Sequence, residues 1–269
     1  MTFKALLTRS LAGAARVAAG IFTVLVGFQL VLVAVAASYE EAHSFERMVQ
    51  FVPGVFQRSL GGTLSAFATF KGLVTMGYFH PLVVITVTQF AIYLASEPAG
   101  EVENRLLDLL LARPLARHWI VTRSLALMTL GLVTLTLCMA LATRTGLALW
   151  GPAGVEWPSG TTLLHLGANL VAVAWCFGAA ALAVAAHVQR RASAMAAVGV
   201  AAVLLYFIDF IAIWWQPARL PAFLSPFHYY AGLDILSKSA APWGDVALLA
   251  GAGTLFAALA YRGFARRDF

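Results

Sequence analysis

The sequence predicts an all-α integral membrane protein. Its expected architecture is a six-transmembrane-helix bundle with an N-terminal interfacial helix and a short cytoplasmic helix between spans 2 and 3. Three observations predict it. Of 269 residues, 61% are apolar and only 11% charged, whereas a soluble domain usually carries about 25% charged residues. Six stretches are long and apolar enough to cross a hydrocarbon core of about 30 Å at about 1.5 Å per residue. The basic residues gather at the ends of those stretches. Continuous apolar runs, rather than alternating ones, require helices and exclude a barrel.

In chain order, Thr2–Ala15 comes first. It sets Phe3, Leu6, Leu7 and Leu11 at helical spacing with Lys4 and Arg9 between them, the pattern of a helix lying in the membrane interface. Val17–Ala37 follows, too long for a signal-peptide core and therefore expected to remain as the first span. The other spans are expected at Val74–Ala95, Trp119–Ala142, Thr161–Ala186, Ser193–Trp215 and Asp245–Tyr261, the last being the shortest. His80-Pro81 falls early in the second span, where proline is expected to kink the helix. Between spans lie an acidic then Gly-rich segment, Ser38–Gly72, and a segment rich in proline and aromatics, Gln216–Trp243. The whole chain, 1–269, reads as a single transmembrane domain.

Lysine and arginine set the orientation. With a cytoplasmic N-terminus the inside segments hold 12 basic residues against 6 outside, so both termini are expected in the cytoplasm. The net charge of +6 gives no nucleic-acid patch, because its carriers are spread over span ends. Cys138 and Cys176 lie inside apolar runs and read as small buried hydrophobes. The six histidines stand singly, and no metal site is expected.

Ser96–Arg123 carries the functional signal. Val102, Leu106, Leu109 and Leu110 recur on one helical face, with Glu101, Arg105 and Asp108 off that stripe. Glu101 and Arg105 form an i, i+4 pair of favourable order, and Pro114 ends the helix. A cytoplasmic amphipathic helix is thus expected over 97–113.

This segment resembles the permeases of the ABC type-2 exporter family, whose cytoplasmic motif reads GE-x-E-x-GTL-[ED]-LLL-A-x-P-x-x-R followed by a basic residue. The matching residues are Gly100, Glu101, Glu103, Leu107, Asp108, Leu109, Leu110, Leu111, Ala112, Pro114 and Arg117, then Arg123. The chain departs from the motif at Arg105-Leu106, where the family has Gly-Thr. Leu224–Tyr230, LSPFHYY, is similar to a Ser-Pro-Phe motif at the same place in such permeases.

The resemblance implies the transmembrane permease subunit of an ATP-driven ABC transporter, an exporter, multi-pass in the cell (inner) membrane. Its implied partners are a cytoplasmic ABC ATPase subunit and a second copy of the permease. The short helix becomes a coupling helix: Glu101, Glu103, Arg105 and Asp108 are expected to meet the ATPase, and Arg113 and Arg117 to anchor the helix to lipid or partner. The chain has no G-x-x-x-x-G-K-[ST], hence no phosphate-cradling loop. ATP belongs to the partner, and no cofactor or catalytic residue is expected here.

Ionisable groups inside a span cost about 2.5–3.5 kcal/mol on insertion scales. Asp209 in the fifth span is the clearest case, a candidate for the translocation pathway or for pairing with a base such as Arg144. Gln89 is the second pathway candidate; with Gln29 and Asn169 it is also of the type that bonds between helices. Two rivals come from other classes. An ion-coupled secondary transporter needs midplane carboxylates and paired broken helices, of which Asp209 supplies one part. An intramembrane enzyme is suggested only by Glu40-Glu41, similar to the EE-x-x-x-R motif of CAAX-type proteases, with Arg47 at the wrong spacing. No HExxH, HxxEH or G-x-S-x-G accompanies it.

Overall fold

The computed structural model describes residues 3–41, 69–105, 116–213, 215–230, 232–238 and 242–266. Among them the regular elements are all helical, and six are long and apolar enough to cross a membrane. The spanning elements are α1 (Phe3–Glu41), the pair α2 (Phe70–Phe79) and α3 (Pro81–Ala95), α5 (His118–Trp150), α6 (Gly160–Ala185), α7 (Arg191–Ala212) and α10 (Trp243–Arg266). Short helices fill the connections: α4 (Glu97–Glu103), α8 (Arg219–Ala222), α9 (Gly232–Lys238), and 3-10 turns at Gln216–Ala218 and Pro226–Tyr229. Six crossings put both chain ends on one face, called the terminal face below.

All six expected spans coincide with these helices, but their boundaries differ. The third span continues to Trp150, and the sixth runs 24 residues rather than being marginal. The fifth ends at Ala212, short of Trp215. At the N-terminus the expected separate interfacial helix is absent as a unit. Phe3–Glu41 is one helix of 39 residues, about 58 Å long at 1.5 Å per residue, so the segment before Val17 runs directly into the first span. No proline interrupts it, and Arg16 leaves helical geometry intact. Most of the first outer segment, 42–68, lies outside the described residues.

The second span is broken rather than kinked. His80 is extended (φ −61°, ψ 133°) between two helices, as the residue before a proline prefers. Its own side chain starts the second half, Nδ1 accepting from the Leu82 amide at 3.3 Å. Pro81 occupies the first turn of α3, where its missing N–H costs nothing. The break frees carbonyls at the end of α2, and the Tyr230 hydroxyl meets one of them, donating to the Tyr78 carbonyl at 2.7 Å. One turn earlier, within the helix, Gln29 Nε2 donates to the Val74 carbonyl at 2.9 Å. Gln29 is fully buried and fits because residue 77 is glycine. A Cβ there would fall on its amide oxygen.

The core sits around α6, the most enclosed span, which packs on α10, α3 and α5. Apolar side chains such as Leu166, Leu170, Val173 and Leu182 are wholly covered. Gly178 and Gly253 permit close approach: a Cβ would strike Met128 at the first and the Trp175 ring at the second. By contrast α1, α7 and α10 turn much apolar surface outward, including Val24, Val200, Leu204, Phe207 and Leu255. That surface suits hydrocarbon and would be an aggregation hazard in water.

Candidate functional site

Charges concentrate on the terminal face, where α4 follows the second span directly. Ser96 joins α3 to α4, and its hydroxyl donates back to the Ile92 carbonyl at 2.6 Å. Pro98 lies in the first turn of α4, so the chain restarts as a helix within one residue. Glu97 and Glu101 are four apart and share a face. That face looks onto Arg123, the sixth residue of α5.

Arg123 is the centre of the cluster. Its side chain is 1% exposed. Nη1 donates to Glu101 Oε1 at 2.9 Å and Nη2 to Glu101 Oε2 at 2.8 Å, the bidentate fork that arginine geometry favours. Glu97 Oε2 is a further 3.9 Å contact. Glu101 is 6% exposed, so it belongs to the interior and not to the wet face expected for a docking residue. Its expected i, i+4 partner, Arg105, is not its partner.

A second tie runs from α4 to α7. The Arg191 amide donates to Glu103 Oε2 at 3.0 Å, and Arg191 Nη2 donates to the Tyr93 carbonyl at 2.7 Å. Its guanidinium stacks 4.1 Å over the Tyr93 ring, a cation–π contact. Gly100 makes room for this arm, since a Cβ there would stand 3.2 Å from Arg191 Cδ. Between these groups lies a cleft of about 320 Å³, reached also by Arg9 of α1. Four elements therefore meet at α4.

Of the expected coupling helix over 97–113, the structure describes residues 97–105, and 106–113 lie outside the described residues. Helix α4 ends at Glu103, with Asn104 capping it through two bonds to the Gly100 carbonyl. Arg105 then adopts φ 54°, a left-handed conformation that costs a non-glycine residue about 1–2 kcal/mol. Glu103, Asn104 and Arg105 are exposed. Asp108 and Arg113 lie outside the described residues. Arg117, expected to reach lipid or partner, is exposed and donates Nη1 to the Ala265 carbonyl of α10 at 3.3 Å.

Sequence reasoning named Glu101 but missed its partners. Arg123 stood only as a basic residue after the motif, and Glu97, Tyr93 and Arg191 were not singled out. One signal was present: an arginine inside a span opposite two glutamates at i, i+4 asks for a pair.

Of the other candidates, Asp209 lies toward the opposite face, and Gln89 and Asn169 lie inside the bundle between the two faces. Asp209 Oδ1 lies 3.4 Å from His228 Nδ1, so its partner is His228 of the second aromatic segment and not Arg144. Tyr206 stacks edge-on against Phe227 one residue before that histidine, and the Ser225 hydroxyl donates to the Leu205 carbonyl at 3.2 Å. LSPFHYY is thereby fastened to the end of α7. Gln89 Nε2 donates to the Gly199 carbonyl at 3.2 Å and lines a groove of about 590 Å³ between α3 and α7. Asn169 Nδ2 reaches the Tyr229 carbonyl at 3.5 Å. Gln29, Gln89 and Asn169 all bond to another element, as their type suggested.

Lys71 and Glu156 close a bridge on the opposite face. The Lys71 hydrogen bond and its charge hold the Glu156 carboxyl below the ordinary carboxylate range. Among the described residues no group of three or more metal-ligating side chains occurs.

In comparison with known proteins, no family model matches the chain and no curated protein matches it.

Proposed function

We propose that the chain is the membrane-spanning permease subunit of an ATP-driven transporter, an exporter, working as a dimer with an ATPase on separate chains. One observation carries it: a short helix on the terminal face is tied at once to the third span by Glu101–Arg123 and to the fifth by Glu103–Arg191. A push on the exposed end of α4 therefore moves α5 and α7 together with α3. That is the mechanical requirement for coupling nucleotide-driven closure to two packings of a bundle.

In this proposal the terminal face is cytoplasmic, in keeping with the excess of lysine and arginine there. Glu103, Asn104 and Arg105 present the docking surface, while Glu101 transmits and does not dock. The left-handed residue 105 adds support. In the permease motif a glycine stands at this position, and glycine adopts such a backbone without strain. The ATPase supplies all the nucleotide chemistry, and this chain is not an enzyme.

The test is purification of the tagged chain in mild detergent, with an ATPase assay on what accompanies it. A stoichiometric ATPase is expected with the wild type, and Glu103→Lys/Arg105→Glu is expected to lose it while inserting normally. Recovery of the chain alone, without nucleotide hydrolysis, would overturn the proposal. It would favour an ion-coupled transporter, for which the broken second span and Asp209 are the structural starting points.

A further inference from the structure

The ends of α6 and α10 enclose a groove of about 710 Å³ on the terminal face, away from α4. Its bed is apolar: Ala183 and Val184 from α6, Phe256 and Leu259 from α10. Its rim carries His187, Arg262 and Arg266, all exposed. Among the described residues no carboxylate lines it and neither arginine forms an ion pair. The groove is built on close helix contact. A Cβ at Gly253 would meet the Trp175 ring at 2.3 Å, and one at Gly263 would meet Ala186 at 2.7 Å, so the two helices touch at both levels.

We infer that this groove binds one anionic phospholipid of the adjacent leaflet, its phosphate held by Arg262 and Arg266 and an acyl chain lying along Val184, Phe256 and Leu259. Charge and length both select that occupant. Arginine forks match phosphate oxygens, and basic pockets between spanning helices suit anionic headgroups. From Arg266 down to Phe256 is ten residues, about 15 Å along the helix, or half of a core about 30 Å thick. A soluble anion would satisfy the rim and leave the apolar bed unused. This site does not depend on the transporter reading.

The experiment is a titration of the full chain in detergent with phosphatidylglycerol or phosphatidylcholine, bound lipid being counted by native mass spectrometry. Phosphatidylglycerol is expected to bind preferentially. At about a fivefold effect per arginine near a surface, Arg262→Gln/Arg266→Gln should weaken it about twenty-fivefold. Arg16→Gln/Arg190→Gln removes the same charge elsewhere on the terminal face and should change binding less than about twofold. Ala183→Phe keeps every charge but fills the bed, and should also weaken the lipid. Equal losses in the two charge doubles, or undiminished binding to Ala183→Phe, would overturn the site. So would complete displacement by millimolar inorganic phosphate.

Discussion

Removing Arg123 should cost more than removing its partner, and the asymmetry follows from the contacts. Arg123→Met leaves the buried Glu101 as an uncompensated carboxylate, with Glu97 one turn away on the same face. Breaking a buried pair in this way costs about 3–5 kcal/mol. Glu101→Gln keeps an acceptor for one arginine N–H and leaves Glu97 at 3.9 Å, so the loss should be about 1.5–3 kcal/mol, that of a charge-assisted bond. Glu101→Gln/Arg123→Met removes both charges of the pair and should cost less than the two singles added, by at least about 1 kcal/mol. The assay is equilibrium unfolding of the purified chain in mild detergent, following tryptophan emission across a denaturant series. Single losses that sum to the double within about 0.5 kcal/mol would refute a direct interaction.

Three further outcomes can be checked on the same preparation. Tyr230→Phe removes the donor to the Tyr78 carbonyl at the break and should lower stability by about 1–2 kcal/mol; no loss would mean that water replaces the hydroxyl. Arg105→Gly relieves the left-handed strain and should stabilise by about 1 kcal/mol after the entropy glycine adds to the unfolded chain, read as a higher midpoint. Glu156, held low by Lys71, contributes stability that is complete above its unfolded value, about pH 4.3, and is lost as pH falls through the lower folded value. Glu156→Gln should flatten that acid limb, and superposable profiles would sink the assignment.

The spans were legible because water excludes them: apolar length alone decides where a helix must cross. Proline at 81 announced a disturbance, but whether it bends or cuts the helix depended on donors far along the chain. Tyr230 reaches a freed carbonyl and Gln29 braces α2 one turn earlier, and no local pattern shows either. The N-terminal helix was read as a separate unit because Lys4 and Arg9 break the apolar run, whereas a polar residue interrupts hydropathy without interrupting hydrogen bonding. The α4 segment was placed at the right end of the second span, and its start was sound. The turn at Asn104 and Arg105 was not legible, because the Val102–Leu110 periodicity runs across Asn104, where capping ends α4. Glu101 was read as wet because periodicity ranks faces by apolarity, and a buried ion pair inverts that ranking. Asp209 needed a partner; that it is His228 follows from how the aromatic segment folds back on α7.

The interruption at His80 has a consequence for how displacement passes through the molecule. An unbroken second span would behave as a rod, carrying any tilt imposed at Ser96 undiminished to its far end. Here α2 is held by the first span and by Tyr230, while α3 is held by α6 and joined to α4. A rotation entering at the terminal face meets a joint about 22 Å along, fifteen residues at 1.5 Å each. The far segment keeps its own anchorage, so the two halves of one crossing act as separate levers with a common pivot.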